Sequence, residues 1–367
     1  MYLKRHLDVK ARVTGAAVLV AVTLAITAVL IPQSARANEA AESPAESAAD
    51  SPGRCSLPLR PGVNRIPLVS GGIARPFELY VPKAYDGHTR IPVVIDGHGS
   101  TSNGLEHFAV SGMPAIAEEE GFAVAAPTAA VPFPDRPGGY IWNFPGVPLF
   151  GSNQPAPPGT PDDDLMVLDM IAQVKRVLCT DSRRVYATGF SAGGRMASRL
   201  ACDHADTVAA IGAVSGLRAG SEPDVTDCHP SRPVPIITFH GTDDPIWSYR
   251  ATPSRYGIPA AVSQWAAIDR CHQPPTVTSV TPTVDLQSYA HCAKGSEIAF
   301  YTLKGAGHRW PGSSFPLPDS QFGPADNSVD ASRLTWEFFS RHALPASCVV
   351  QDGCPPRGNG SPSATRP

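Results

Sequence analysis

The residues most able to do chemistry are a serine, an acidic pair and a histidine that follow one another along the chain. Ser191 lies in GFSAG (residues 189–193), Asp243 and Asp244 end HGTDD, and His308 lies in GAGHRWPG. A serine becomes a nucleophile when an imidazole takes its proton and a carboxylate orients that imidazole. The pattern predicts acyl transfer, with Ser191 as nucleophile, His308 as general base and one of the two aspartates as the orienting acid.

The segments on either side of Ser191 suit a nucleophile on a sharp turn. Residues 184–188 (RVYAT) have the pattern of a strand, and residues 194–205 are compatible with a helix. A serine between a strand and a helix has a strained backbone that tolerates only small residues two positions away, and glycines stand at both positions. The amide of Ala192, at the start of the helix, is an expected oxyanion donor.

A second oxyanion donor is expected from the loop after an earlier strand. Residues 93–100 (VVIDGHGS) indicate a strand that ends in a Gly-rich turn, and Ser100 is the candidate donor, through its backbone amide. The alternative is that residues 98–99 form a plain tight turn without a catalytic part. The acid and the base also follow strand-like runs, 234–239 and 298–303, at the edge where ligands bind in open α/β sheets.

Short apolar runs alternate with helical patterns along the chain. The strand candidates are residues 77–81, 92–95, 122–125, 185–188, 209–214, 235–239 and 298–303. The helix candidates are residues 113–120, 163–178, 192–204, 260–269 and 329–342. This alternation predicts a mainly parallel sheet with helices on both faces, and a hairpin-like start over residues 66–81 predicts antiparallel strands at one edge. The chain order of serine, acid and histidine is that of the α/β-hydrolase fold.

Four segments together resemble the secreted polyhydroxybutyrate depolymerase and feruloyl esterase-like family, with a likeness that spans about residues 59–342. The segments are Asp163-Asp164 before an apolar helix, DSRRVY (181–186) leading into GFSAGG, SRPVP (231–235) leading into HGTDD, and GHRWPG (307–312). The resemblance implies an esterase of the α/β-hydrolase fold that acts on hydroxyalkanoate, feruloyl or acetyl esters and needs no metal or cofactor. The alternatives are a secreted serine peptidase of the same fold and a non-catalytic binding protein.

The resemblance also assigns individual residues. It makes Asp244 the orienting acid, and it implies that Trp142, with its neighbour Asn143, and Trp310 lie near the substrate. One position departs from the family: Asp96 precedes the Gly-rich turn, where family members more often carry apolar residues.

Composition limits the partners of the protein. An apolar content of 42% is typical of a globular, core-forming chain. Residues 1–37 hold five of the 30 Lys and Arg residues and one of the 33 Asp and Glu residues, so the remainder carries 25 basic and 32 acidic residues, a net charge near −7. This mildly acidic balance gives no electrostatic basis for a nucleic-acid or anionic-membrane partner. A monomer that acts on a neutral or weakly charged ester is expected.

The N-terminus has the pattern of an export signal. A basic stretch precedes an apolar run over residues 13–31, and Ala35-Arg36-Ala37 is a small-x-small cleavage site. We expect a signal peptide at 1–37 and a secreted protein; the alternative is an uncleaved membrane anchor. The composition further predicts a disordered linker at 38–54, a catalytic domain at 55–354 and a disordered tail at 355–367.

Eight cysteines form an even set, which in an exported protein predicts disulfides. The economical pairs are Cys202 with Cys228, Cys271 with Cys292, Cys348 with Cys354, and Cys55 with Cys179. A zinc site is the alternative, but the usual close Cys/His spacing does not occur.

Other features have structural interpretations. The acidic run at residues 162–164 is expected to cap the following helix rather than to bind a metal. Trp247 and Trp265 are expected to pack, and His240 to shape its turn. The Pro- and Gly-rich stretch at 127–161 is either a rim or lid over a site or a surface loop.

Overall fold

A computed structural model describes residues 55–346, apart from residues 146, 153, 221–226 and 254. The strands of these described residues are β1 (Gly62–Ile66), β2 (Val69–Ser70), β3 (Ile73–Ala74), β4 (Phe77–Val81), β5 (Ile91–Gly97), β6 (Ala123–Ala126), β7 (Val131–Pro132), β8 (Tyr140–Ile141), β9 (Thr180–Gly189), β10 (Ile211–Val214), β11 (Ile236–Gly241), β12 (Thr276–Thr281), β13 (Val284–Tyr289) and β14 (Ile298–Leu303). The helices are α1 (Gly104–Ser111), α2 (Met113–Glu120), α3 (Asp163–Val177), α4 (Ala192–Asp203), α5 (Ile258–Ile268), α6 (Asp319–Phe322) and α7 (Ala331–Phe339).

Ten strands form one sheet in the order β1-β4-β6-β5-β9-β10-β11-β14-β13-β12. The six central strands, from β6 to β14, run parallel to one another. The two strands at each edge are antiparallel to their neighbours. Because the central strands are parallel, their carboxyl ends lie at a single edge of the sheet, where the loops that follow β5, β9, β11 and β14 meet.

Helices cover both faces of the sheet. Alternate residues of the central strands point to opposite faces, so Val93 and Ile95 of β5 pack in one apolar cluster and Val94 packs in the other. Helices α3, α4 and α5 contribute to the first cluster, and α1, α2 and α7 contribute to the second. Full burial on both faces explains why the central strands are continuous apolar runs. The α/β-hydrolase fold predicted from the sequence is confirmed.

All seven predicted strands and all five predicted helices are present, with ends that shift by a few residues. The sequence prediction missed the edge hairpin β12–β13 and the helices α1 and α6. Strand β12 (TVTSVT) is exposed along nearly its whole length and therefore lacks the apolar run that marks a buried strand. Helix α6 has four residues, too few to show a clear helical period.

Three of the four predicted disulfides are present: Cys55–Cys179, Cys202–Cys228 and Cys271–Cys292. The fourth predicted pair, Cys348 with Cys354, lies outside the described residues. So do the predicted signal peptide (1–37), linker (38–54) and tail (355–367). None of the helices within the described ranges has the length and apolar character needed to span a bilayer.

Candidate active site

Ser191 lies on the turn between β9 and α4, as predicted. Its φ of 54° and ψ of −113° belong to a region that residues other than glycine rarely adopt. The Ser191 amide donates to the carbonyl oxygen of Val214 over 2.8 Å, and the Arg195 amide donates to the Ser191 carbonyl oxygen over 3.1 Å. Backbone hydrogen bonds on both sides therefore hold the strained turn, and the Ser191 hydroxyl is not required to hold it.

Close backbone packing explains the glycines on either side of Ser191. A Cβ atom on Gly193 would collide with the carbonyl oxygen of Gly97 at the end of β5, and a Cβ atom on Gly189 would lie 2.6 Å from the same oxygen. The Phe190 amide donates to this carbonyl over 3.0 Å. The GFSAG pattern thus locks the serine turn onto β5, the strand that leads into the predicted oxyanion loop.

Asp244 and His308 form a buried pair at the same edge of the sheet. His308 Nδ1 lies 2.7 Å from Asp244 Oδ2, and the two residues are 2% and 7% exposed. Burial alone would raise the pKa of Asp244, but hydrogen bonds from His240 and His308 hold it well below its ordinary value. The carboxylate is therefore ionised and accepts, so Nδ1 of His308 donates and Nε2 remains the basic nitrogen of the neutral ring.

The fold brings this pair next to the serine turn. Ser191 follows β9, Asp244 follows β11 and His308 follows β14, and these strands are parallel members of one sheet. The ring of His308 lies 4.8 Å, centroid to centroid, from the ring of Phe190, the residue before Ser191. Three residues separated by up to 117 positions in the sequence therefore share one edge of the sheet. Asp243, the other candidate acid, is exposed.

The loop after β5 is held in place by His98. His98 is fully buried, its Nδ1 lies 2.7 Å from the Gly99 carbonyl oxygen, and its Nε2 accepts the Ala129 amide over 3.0 Å. Burial lowers the pKa of His98 to about 3, which keeps the ring neutral at physiological pH. A neutral ring has one donor nitrogen, here Nδ1, and one acceptor nitrogen, here Nε2. Beyond this braced turn, Ser100 lines the same cavity as Ser191 and Ala192.

The cavity beside Ser191 has a mainly apolar wall. Its apolar lining residues are Ile141, Trp142, Phe144, Val147, Pro148, Phe150 and Trp247. Trp142 is therefore at the cavity, as the resemblance implied. Trp247 also lines the cavity, and it packs against the apolar core as expected, with Arg218 over its ring at 3.8 Å. Trp265 does pack, with a side chain that is fully buried.

Trp310, predicted to lie near the substrate, packs in the core and is not among the residues that line the cavity beside Ser191. Trp310 is 3% exposed and packs in the apolar cluster on the face covered by α1, α2 and α7. Its indole donates to Ser332 Oγ over 2.9 Å, and its ring meets His107 edge-on at 5.6 Å. It is two residues after His308, and along this segment the chain turns away from the cavity into the core. The sequence around His308 does not distinguish a tryptophan that lines the cavity from one that packs in the core.

The three aspartates at the head of α3 have three different roles. Asp162 is the N-cap, as predicted, and accepts the amides of residues 164 and 165. Asp164 pairs with Arg199 of α4. Asp163 is fully buried, pairs with Arg75, and accepts the amides of Ala130 and Asn143. Asp163 thus fastens both arms of the segment at 127–161, which supplies six of the cavity's apolar lining residues, and this favours the rim interpretation of that segment.

Two further residues near the site lacked a clear sequence signal. His240 Nε2 lies 3.2 Å from Asp244 Oδ2, and the place of His240 in HGTDD was the only hint. Asp96, the departure from the family pattern, is buried at the end of β5. Within the described ranges, no three His, Cys, Asp or Glu side chains are grouped so as to hold a metal ion.

Sequence relatives of the chain are esterases by name. No protein-family model matches it. Feruloyl esterase B of Piromyces equi is 27% identical over 274 residues, which cover 72% of this chain and 44% of that protein. The putative esterase NocK of Nocardia uniformis subsp. tsuyamanensis is 26% identical over 303 residues, 74% of this chain and 81% of that protein. Feruloyl esterase D of Neurospora crassa is 30% identical over 187 residues, 49% of this chain and 56% of that protein. The chain thus spans less than half of the first of these relatives.

Among solved structures, an acetyl xylan esterase from Aspergillus awamori aligns with a TM-score of 0.49 at 18% identity, over 72% of this chain and 94% of that one. The fold assignment rests on the sheet of this protein itself, whose parallel strands bring a serine turn, an aspartate and a histidine to one edge in the expected chain order. The chain therefore has the α/β-hydrolase fold, and the sequence relatives given above are named as esterases.

Proposed function

We propose that this protein is a serine esterase that hydrolyses carboxylic esters through an acyl-enzyme. Ser191 is the nucleophile, His308 the general base and Asp244 the acid that orients it. The observation that carries the proposal is the buried His308–Asp244 hydrogen bond beside a serine held in strained geometry at the head of α4. Relatives named as feruloyl esterases support the ester as substrate class.

The reaction proceeds in two steps. His308 Nε2 takes the Ser191 proton as Oγ bonds to the ester carbonyl carbon, and the resulting oxyanion accepts from the amides of Ala192 and Ser100. The bond between the carbonyl carbon and the alcohol oxygen then breaks, and His308 returns the proton to the leaving alcohol. Water, deprotonated by His308, attacks the acyl-enzyme and releases the acid, and the proton returns to Ser191. No step requires a metal or cofactor.

The cavity wall favours an aromatic or otherwise apolar group on the substrate. The rings of Trp142, Phe144, Phe150 and Trp247 form part of this wall, against which a planar apolar group such as a feruloyl ring packs. We therefore place feruloyl-type esters ahead of acetyl esters. Oligomers of 3-hydroxybutyrate, which the resemblance in the sequence suggests, are the second candidate because the wall is also apolar.

Ester hydrolysis by the Ser191→Ala variant tests the mechanism. We expect loss of at least about 1000-fold in kcat on p-nitrophenyl acetate, together with loss of labelling by a fluorophosphonate probe at the peptide that contains residue 191. Ser182→Ala is the matched control, because Ser182 lies in β9 at the end opposite Ser191. If wild type hydrolyses no ester, or if Ser191→Ala retains full activity, the proposal fails. Faster turnover of a peptide p-nitroanilide than of the ester would favour the peptidase alternative.

A substrate comparison tests the ester class. The values of kcat/KM for methyl ferulate, methyl acetate and a 3-hydroxybutyrate trimer, each of which releases an alcohol, separate the three classes. We expect methyl ferulate to be preferred among substrates with comparable leaving groups, and Trp142→Ala and Phe144→Ala to reduce that preference. A preference for acetyl esters of xylan would contradict the role given to the aromatic wall.

We also propose that the protein is exported and acts outside the cell as a monomer. Three disulfides support an oxidising compartment. N-terminal sequencing of protein from the culture medium should begin at Asn38, after cleavage at Ala37. Recovery of the full-length chain in the membrane fraction would support the uncleaved anchor instead. Light scattering during gel filtration should give the mass of one chain.

A further inference from the structure

A second histidine shares the carboxylate of Asp244. His240 Nε2 lies 3.2 Å from Asp244 Oδ2, the same oxygen that contacts His308 Nδ1 at 2.7 Å. The other oxygen, Oδ1, accepts the amides of Ile246 and Trp247 over 2.8 and 2.7 Å. Four donors thus surround one carboxylate, and only one of them belongs to the proposed base.

The contacts of His240 fix its tautomer. Nε2 also lies 2.7 Å from the carbonyl oxygen of Trp247. A carbonyl oxygen only accepts, so Nε2 carries the proton and donates. Nδ1 is buried and has no hydrogen-bond partner among the described residues, which suits the unprotonated nitrogen of a neutral ring. His240 is therefore a neutral donor shared between the Trp247 carbonyl and the Asp244 carboxylate.

The surroundings of His240 keep it neutral. The residue is 1% exposed, and burial lowers its pKa although Asp244 opposes that shift. The titratable groups that face it are Asp244 and His308, and the ring of Tyr249 lies 6.2 Å away. A neutral second imidazole leaves the full negative charge of Asp244 to stabilise the imidazolium that forms on His308.

Resting on the proposed esterase mechanism, we propose that His240 is a positioning residue: its Nε2–H holds the Asp244 carboxylate in the rotation that presents Oδ2 to His308. The hydrogen bond from His240 is also a leading cause of the lowered pKa of Asp244. Without this donor, His308 is the single partner of Oδ2. The carboxylate can then turn while Oδ1 keeps its hydrogen bonds from the two backbone amides. His308 then loses its fixed tautomer for part of the time.

His240 also connects the acid to the substrate cavity. The Trp247 carbonyl accepts from His240, the Trp247 amide donates to Asp244, and the Trp247 side chain lines the cavity. His240, Asp244 and Trp247 form a closed ring of polar contacts. The position of the cavity wall and the orientation of the acid are therefore set by the same imidazole.

Two variants separate donation from packing. His240→Leu removes the donor, whereas His240→Gln keeps an N–H that can reach the same acceptors. We expect His240→Leu to lower kcat on p-nitrophenyl acetate by roughly 10- to 100-fold, the loss expected for one hydrogen bond to a charged group, with KM changed less than about threefold. His240→Gln should recover at least about half of that loss on a logarithmic scale.

The matched control is His342→Gln, which removes an imidazole contact to a carboxylate, Glu297, over 3.0 Å. Glu297 precedes β14, whereas His308 follows it, so this pair lies at the opposite end of the strand. The control should keep wild-type kcat. Equal loss in His240→Leu and His240→Gln, or no loss in His240→Leu, would overturn the proposal, since packing alone would then account for the residue.

The tautomer of His240 can be measured on the wild-type protein itself. Nitrogen-15 NMR of the histidine rings reports which ring nitrogen carries the proton, whether or not any ester is hydrolysed. We expect His240 as the Nε2–H tautomer at pH 7, with His240→Gln used only to assign its signals. An Nδ1–H tautomer or a charged ring would refute the proposal. Absence of ester hydrolysis by wild type with the expected tautomer would instead refute the proposed function and leave the contact in place.

Discussion

Trp142 donates its indole N–H to the carbonyl oxygen of His98 over 2.8 Å, and the two rings lie 4.9 Å apart. That carbonyl belongs to the loop that carries Ser100 to the cavity. The next residue, Asn143, donates its amide to buried Asp163 over 2.6 Å. A path of hydrogen bonds therefore runs from the head of α3 through the cavity wall to the loop with the proposed oxyanion donor.

Trp142→Phe should slow the chemical step more than it weakens substrate binding. Phenylalanine keeps a ring in the cavity wall but cannot donate to His98, so the loop after β5 loses one restraint. We expect kcat to fall about 3- to 10-fold, with KM nearly unchanged, in steady-state assays on p-nitrophenyl acetate. Trp336→Phe is the control, because its indole donates to Glu120 over 3.2 Å on the other face of the sheet. An unchanged kcat in Trp142→Phe would show that this bond does not position the loop.

The buried Asp96 is satisfied by α1. It accepts from Ser111 Oγ over 2.6 Å and lies 2.9 Å from His107 Nε2, and none of Asp96 is exposed. We expect Asp96→Leu to lower the free energy of unfolding by about 2–4 kcal/mol in urea titrations, because it leaves two buried polar groups without a partner. The double variant Asp96→Leu with His107→Phe should recover part of the loss, since both members of the Asp96–His107 contact are then apolar. Equal stability of wild type and Asp96→Leu would contradict this account.

The disulfide that closes the longer loop should contribute more to stability. Cys55–Cys179 joins residues 124 positions apart, and Cys271–Cys292 joins residues 21 apart. On the chain-entropy relation, removing the first costs about 5 kcal/mol and removing the second about 3.5 kcal/mol. Paired Cys→Ser variants in urea unfolding measure the difference. A larger loss for the shorter loop would mean that native packing around Cys271, and not chain entropy, determines the contribution.

Sequence reasoning succeeded where a single physical requirement determines the residue type. The glycines beside Ser191 and the apolar central strands each follow from one such requirement. The direction in which a side chain points after the chain turns was out of reach, as for Trp310, which packs in the core. The partners of Asp96 and Asp163 were also out of reach, because each pairs with residues on other elements whose position only the assembled sheet determines.

Asp269 should make the protein less stable as the pH rises toward neutrality. It is fully buried, accepts the Val234 amide over 3.1 Å and Ser296 Oγ over 2.6 Å, and burial raises its pKa to about 7 from 3.8. Because the folded pKa is above the unfolded one, the native state binds more protons between about pH 4 and 7. The stability contributed by the neutral acid is therefore full below pH 4 and is lost as the pH rises through 7.

Asp269→Asn should remove this dependence, since an amide keeps an acceptor for Val234 and does not ionise. Arg232, the nearest cation, keeps hydrogen bonds to the carbonyl oxygens of Ala205 and Pro233. Urea unfolding at several pH values from 4.5 to 7.5 should show a gap between variant and wild type that widens with pH by on the order of 2–4 kcal/mol. Asp285→Asn is the control: the lowered pKa of half-buried Asp285, paired with Lys304, places its contribution below this window. A gap that stays constant from pH 4.5 to 7.5 would mean that Asp269 is ionised throughout.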